Sequence, residues 1–214
     1  MGTEPEAARS RLDRRKARTR GALVSAARTF LAQGTTSVSI QEITDAADVG
    51  FGSFYNHFAT KDELFEEAVE VTLDEWGQLR DAAVEGLEDP AEIFARSFRM
   101  AGRMQRLMPE QVKVMLNAGA AILVNERGIR PRALADLRRG IELGRFTMPD
   151  AETAVMLAGG VLLALMELLE SDPNSDDAAV SDFFAERLLI SLGVEPHEAR
   201  QICGSPLPGV PQLA

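Results

Sequence analysis

A chain of 214 residues, 45% of them hydrophobic, is long and apolar enough to bury a sizeable core, and its single cysteine, Cys203, excludes an internal disulfide and a cysteine-built zinc site. The formal net charge of −10 argues on its face against a nucleic-acid partner, but the charge is unevenly spread. Residues 1–61 hold nine Lys/Arg against six Asp/Glu, a balance of +3, while residues 62–214 hold 14 against 27, a balance of −13. The first quarter therefore attracts phosphate and the remainder repels it. Helix formers dominate and period-two β-branched runs are missing, so an all-α fold is expected. Residues 1–22 are polar and basic, so no secretory leader is expected. The longest apolar run, Ala154–Met166, falls short of the roughly 20 residues that span a bilayer, which points to a buried or interface helix and no membrane partner. With the lone cysteine, this fits a reducing cytoplasm.

In chain order, residues 1–10 are polar and carry Pro5, and are expected to form a disordered arm. A first helix is expected over Arg11–Gln33, with Leu23, Ala27, Phe30 and Leu31 as its buried stripe and Gly34 as its C-cap. Its early turns carry Arg14, Arg15, Lys16, Arg18 and Arg20. Two short helices with a tight turn follow between Ser39 and Lys61. Ser39 and Glu42 have capping-box spacing. Ile40, Ile43, Ala46 and Ala47 supply an apolar face, and Asp48-Val49-Gly50 breaks the helix. The second helix is expected over Phe51–His57, with Phe54 and Phe58 inward and Val49 at the corner. Facing outward are Phe51, Gly52, Ser53, Tyr55, Asn56 and His57, none of them acidic, a surface that a DNA major groove accepts. Neither helix is long enough to fold alone, so each needs flanking helices.

Thr60 and Glu63 form a second capping-box pair that opens a helix running to about Gly86. Asp89 caps a fifth helix with Pro90 at its first position, and Pro109 starts another. A glycine-broken apolar stretch follows, and then a helix from Arg130-Pro131 to Gly144. Pro149 or Asp150 starts a long apolar helix whose Gly159-Gly160 pair costs about 2 kcal/mol relative to alanines, a cost that a close helix–helix approach explains. Ser175-Asp176-Asp177 leads into a helix with Val180, Phe183, Phe184, Leu188 and Leu189 spaced for one face. A short helix is expected over residues 195–202, and the proline-rich residues 204–214 form a flexible tail.

Catalysis finds little support. His57 and His197 are the only histidines, and Cys203 follows His197 at a spacing that does not align on a helix. Gly50-x-Gly52 follows no strand and has Tyr55 where a third glycine of a dinucleotide fingerprint belongs. No catalytic residue, metal site or cofactor is assigned. Seven methionines, Met100, Met104, Met108, Met115, Met148, Met156 and Met166, lie between residues 100 and 166. Such residues are usually core, yet methionine is pliable and suits a pocket for apolar ligands. Trp76, Phe94, Phe98, Met104, Met115 and Ile141 are the candidates to line one.

The segment S-I-Q-E-I-T-D-A-A-D-V-G-F-G-S-F-Y-N-H-F, followed by Lys61, resembles the helix-turn-helix of TetR-family transcriptional regulators, whose pattern is near T-x-x-x-I-A-x-x-A-G-V-S-x-G-x-x-Y-x-H-F. It departs at Asp48, which replaces the turn glycine, and at Gly50, which replaces the capping serine. The resemblance implies an N-terminal three-helix DNA-binding domain with a helix-turn-helix over residues 11–60. A C-terminal helical ligand-binding and dimerisation domain is implied over residues 61–203. By the resemblance the basic turns of the first helix lie over the DNA backbone, and Arg9, Arg11 and Arg14 either reach the minor groove or only solubilise the arm. Gln41, Phe51, Gly52, Ser53 and Asn56 are expected at base edges, with Tyr55, His57, Lys61 and Thr44 on phosphates. The segment ALADLRRGIELGRF resembles one that ends in a Gly-x-Phe turn ahead of the dimerisation helices. The implied partners are double-stranded operator DNA, a second copy of the chain and a small-molecule effector, and the implied role is repression relieved by that effector. Activation stays open, as does a helical ligand-binding or protein-interaction module without operator binding.

Overall fold

The computed structural model describes the backbone of residues 4–208 and the side chains from Asp13 to Pro208. The described residues form ten α-helices and one 3₁₀ turn with no strand, and the chain divides into two compact units that meet at Val71 and Thr72. Met1–Thr3, residues 209–214 and the side chains of Arg9 and Arg11, each with an expectation attached above, lie outside what is described.

In the first unit α1 (Glu4–Ala32) starts at Glu4 instead of Arg11, so most of the expected disordered arm is helical. Pro5 is compatible with this, because in a first turn its missing N–H has no partner to lose. Leu23 and Ala27 are fully buried, while Phe30 is only half-buried. Gly34 ends the helix in the left-handed conformation expected of it. Helix α2 (Ile40–Ala46) carries the complete capping box: Ser39 Oγ accepts from the Glu42 amide at 3.2 Å and the Glu42 carboxylate accepts from the Ser39 amide at 2.7 Å. Ile43 is fully buried, but Ala46, assigned to the apolar face, is exposed, since seven residues give α2 only two turns against its neighbours. Asp48 holds the turn at φ 52°, the only left-handed non-glycine among the described residues. A short carboxamide or carboxylate side chain makes that conformation bearable.

Helix α3 is shorter than expected: Phe51–Phe54 is α-helical and residues 55–57 form a turn. Its N-cap, Gly50, makes no side-chain cap bond, and the Ser53 amide donates to the Gly50 carbonyl at 2.8 Å instead. Helix α4 (Lys61–Val84) opens on a modified capping box. Thr60 Oγ1 accepts from the Glu63 amide at 3.1 Å, while the Glu63 carboxylate accepts from Ala59, not Thr60. Its early turns belong to the first unit, through fully buried Leu64 and Ala68 and the bidentate pair of Arg20 with Glu67, so the unit ends past residue 60.

The second unit is built around α5 (Pro90–Leu107), capped by Asp89. It is followed by α6 (Pro109–Ala118), the 3₁₀ turn Gly119–Leu123, α7 (Ile129–Glu142), α8 (Ala151–Ser171), α9 (Asp177–Ser191) and α10 (Pro196–Gly204). Asp150 and Asp176 cap α8 and α9, as their positions before those helices suggest. The core cluster joins α5, α7, α8, α9 and α10, with Phe94, Phe98, Leu137, Leu165, Leu169 and Leu189 among its members. Gly102 lets α5 approach α9: a Cβ there would lie 2.2 Å from Ser181 Oγ. The expected apolar face of α9 splits, with Leu188 and Leu189 buried and Phe183 turned to solvent at 56% exposure. Helix α8 has 21 residues and is long and apolar enough to cross a bilayer by length and composition, although Leu165, Met166 and Leu169 are fully buried in the unit. Of its two glycines, only Gly159 meets a close neighbour, the Leu123 side chain; Gly160 faces open space.

Candidate nucleic-acid interface and ligand cavity

In the first unit, buried Phe54 and Phe58 anchor the helix-turn-helix from within. With those rings fixed, the opposite side of the α3 segment faces solvent. Phe51 and Tyr55 are 47% and 57% exposed, Gly52 and Asn56 are exposed, and Ser53 and His57 are half-buried. Phe51 and Tyr55 stand edge to face at 5.9 Å, and Tyr55 stacks edge-on against Phe54 at 5.4 Å, so the phenol is held outward by its own ring contacts. A Cβ on Gly52 would meet nothing within 4 Å, which leaves the backbone open to a close approach. Gln41 is exposed on the neighbouring helix, where its amide donates to Asp45 Oδ1 at 2.7 Å. Asp13, Arg14, Arg15, Lys16 and Arg18 are exposed on α1.

Thr44 and Lys61, two of the four expected phosphate contacts, and Arg20 of the basic first helix have bonding partners inside the protein. Thr44 is fully buried and its hydroxyl donates to the Gln41 carbonyl at 3.0 Å, so it cannot reach a phosphate; a threonine on the inner side of α2 satisfies its hydroxyl within its own helix. Lys61 is half-buried and its Nζ donates to the Val38 carbonyl at 2.9 Å, bridging the start of α4 to the residue ahead of α2. Arg20, grouped in sequence with the exposed basic turn, instead donates to the His57 carbonyl at 2.8 Å, pairs with Glu67 and lies 4.3 Å above the Phe58 ring. It clamps the α3 turn to α1 and α4. The Glu42 carboxyl is held below its usual range, chiefly by the Ser39 backbone amide and then by the Ser39 hydroxyl.

The second unit contains a cavity of about 130 Å³. Five of the six residues expected to line a pocket do so: Trp76, Phe94, Phe98, Met104 and Met115. Ile141 does not; one face of α7 packs it against the core cluster instead. Of the seven methionines, Met100, Met104, Met115 and Met166 line the cavity, while Met156 is exposed on α8 and Met148 packs on the core. Polar groups that the sequence left unassigned also line it: Arg80, Ser97, Arg130 and Asp136. Arg80 pairs with Asp136 and donates to Ser97 Oγ at 3.1 Å, and Arg130 donates to Glu152 at 2.6 Å. These pairings join residues far apart in the chain, so no local spacing announces them. Among the described residues no cluster of three or more His, Cys, Asp or Glu could hold a metal ion. Cys203 is buried, and that burial pushes its thiol up to about 11, so it is an unreactive core residue.

Comparison with known proteins places this geometry. The family model for bacterial regulatory proteins of the tetR family matches residues 22–68, and that for the tetracyclin repressor-like C-terminal domain matches residues 89–204. The HTH-type transcriptional repressor KstR2 of Mycolicibacterium smegmatis is 32% identical over 77 residues, covering 34% of this chain and 38% of that protein. The KstR2 of Rhodococcus jostii is 32% identical over 71 residues, covering 33% and 35%. The match thus spans little more than a third of each curated relative. A crystal structure of RolR in complex with its ligand resorcinol is 35% identical, covers 93% of this chain and 100% of its own, and superposes with a TM-score of 0.73. The transcriptional regulator FadR from Bacillus subtilis, in complex with stearoyl-CoA, shares the fold at 15% identity and a TM-score of 0.63, covering 78% of this chain and 96% of its own. The two family models together span the helix-turn-helix segment and the helices from α5 to α10, and the chain belongs to the TetR family of transcriptional regulators.

Proposed function

We propose that this chain acts in the cytoplasm as a homodimeric repressor that binds operator DNA and is released by a small, largely apolar ligand. The observation that carries the reading is the solvent-facing, acid-free surface of Phe51, Gly52, Ser53, Tyr55 and Asn56, built on two fully buried phenylalanines inside the segment that matches the family model. In this reading Gln41, Phe51, Gly52, Ser53 and Asn56 face base edges, with Phe51 against a thymine methyl and Gln41 on adenine. Tyr55 and His57 hold phosphates, and Lys61 adds its remaining ammonium donors beside the bond to Val38.

Pairing with a second copy is supported by apolar side chains left exposed on α8 and α9: Met156, Leu157, Leu168 and Phe183. Burying such side chains against a second copy is favourable, as in the helix pairs of a four-helix bundle. A ligand is supported by the cavity and by the resorcinol complex of RolR, whose ligand is of a size with the space here. Helix α4 runs unbroken from Lys61 to Val84 and contributes Leu73, Trp76, Leu79 and Arg80 to the cavity wall. A ligand that fits the released form better lowers DNA affinity by that preference.

A gel shift against the region upstream of the chain's own gene tests this reading. A retarded band that survives unrelated competitor DNA is expected. No band at micromolar protein and low salt would leave a helical ligand-binding module in its place.

A further inference from the structure

Two side chains that line the cavity, Trp76 and Arg130, each hold a buried N–H with no hydrogen-bond partner among the described residues, the indole Nε1 and the guanidinium Nε. Trp76 is 3% exposed. Indole nitrogen donates only, and a buried donor left unpaired costs free energy that a ligand oxygen can recover. Charge along the wall is already balanced: Arg80 is paired with Asp136 and Arg130 with Glu152. An entering carboxylate would find no uncompensated cation and would lie near Asp136. The remaining lining is aliphatic, aromatic or thioether apart from Ser97, whose hydroxyl is committed to the Ile93 carbonyl at 2.7 Å. The volume, about 130 Å³, is near the ~150 Å³ of an engineered cavity that admits benzene.

Resting on the reading of this cavity as the effector site, we infer that it takes a neutral, single-ring compound bearing an oxygen acceptor, such as a phenol or aryl ketone, whose oxygen accepts from Trp76 Nε1 with Arg130 Nε as second donor. Long acyl chains and fused multi-ring bodies exceed the space.

Titration calorimetry of the full chain with phenol, toluene and benzoate, without DNA, tests the inference separately from operator binding. Phenol is expected to bind at least about fivefold tighter than toluene, the difference one net hydrogen bond makes, and benzoate weakest. In Trp76→Phe the preference for phenol over toluene should collapse while toluene binding holds, which also shows that the cavity is intact. Equal affinity for phenol and toluene, tightest binding of benzoate, no binding of phenol, or an unchanged preference in a toluene-binding Trp76→Phe would overturn the inference. Should Trp76→Phe lose toluene as well, Arg130→Lys decides, since it keeps the charge opposite Glu152 and removes the Nε donor. A reduced phenol preference there supports the inference, and an unmoved one overturns it.

Discussion

Tyr55 is more than half exposed yet touches two aromatic rings, a placement that suits contact with a partner better than core packing. Tyr55→Ala is expected to weaken binding to all DNA sequences alike, by about 1 kcal/mol for one lost phosphate contact, with little change in melting temperature. Gln41 behaves differently. Its side chain is held by Asp45 in the free protein, so reading a base requires that bond to be exchanged. Gln41→Ala should therefore relax selectivity at a single base position by about 1–3 kcal/mol, measured by competition with singly substituted operators. A uniform loss across all sequences would remove Gln41 from base reading. The buried Cys203 thiol, pushed up to about 11, should resist alkylation at pH 8 in the folded protein and react on denaturation. What the sequence disclosed at this scale was the identity of outward residues near a strong motif. It did not disclose direction for Thr44, Lys61 or Arg20, because a hydroxyl or cation close to an exposed polar surface can equally well bond to backbone carbonyls, and only tertiary packing selects between them.

Helices were legible wherever a cap and a period coincided: Ser39 with Glu42, Asp89 with Pro90, Asp150 ahead of Thr153. They were less legible where the period outran the packing, as at Phe183, whose spacing fits the buried face of α9 but whose side chain faces solvent. One link between elements could not be seen in the sequence at all. Arg145, just past the Gly144 turn that ends α7, donates to both Asp89 oxygens at 2.8 and 3.0 Å and to Glu198 at 2.7 Å, tying the starts of α5 and α10 to the end of α7. The hydrogen bond from Arg145 holds the Asp89 carboxyl below its ordinary range and raises the guanidinium's own affinity for its proton. A carboxylate with a depressed folded value stabilises the fold above its unfolded value, near 3.9, and loses that contribution as pH falls through the folded value. Wild-type melting temperature should therefore fall more steeply below about pH 4 than that of Asp89→Asn. Arg145→Ala should cost about 2 kcal/mol near neutral pH, since it removes charge-assisted bonds to partly exposed carboxylates. A loss near zero would show that the three elements hold without the link.

Across the whole chain, the excess of basic residues in positions 1–61 and of acidic residues in positions 62–214 draws a polyanion toward the helices ahead of α4 and away from the rest. Apolar side chains left exposed on α8 and α9 give that orientation its second copy in the proposed dimer, so two reading surfaces engage one duplex. Binding should weaken steeply with salt, because each neutralised phosphate releases counterions. The most direct measurement is hydroxyl-radical footprinting of the DNA upstream of the chain's own gene. Two protected patches, their centres about 10–10.5 base pairs apart or a multiple of it, are expected of paired heads in successive major grooves. A single patch, or protection with no fixed spacing, would contradict the account.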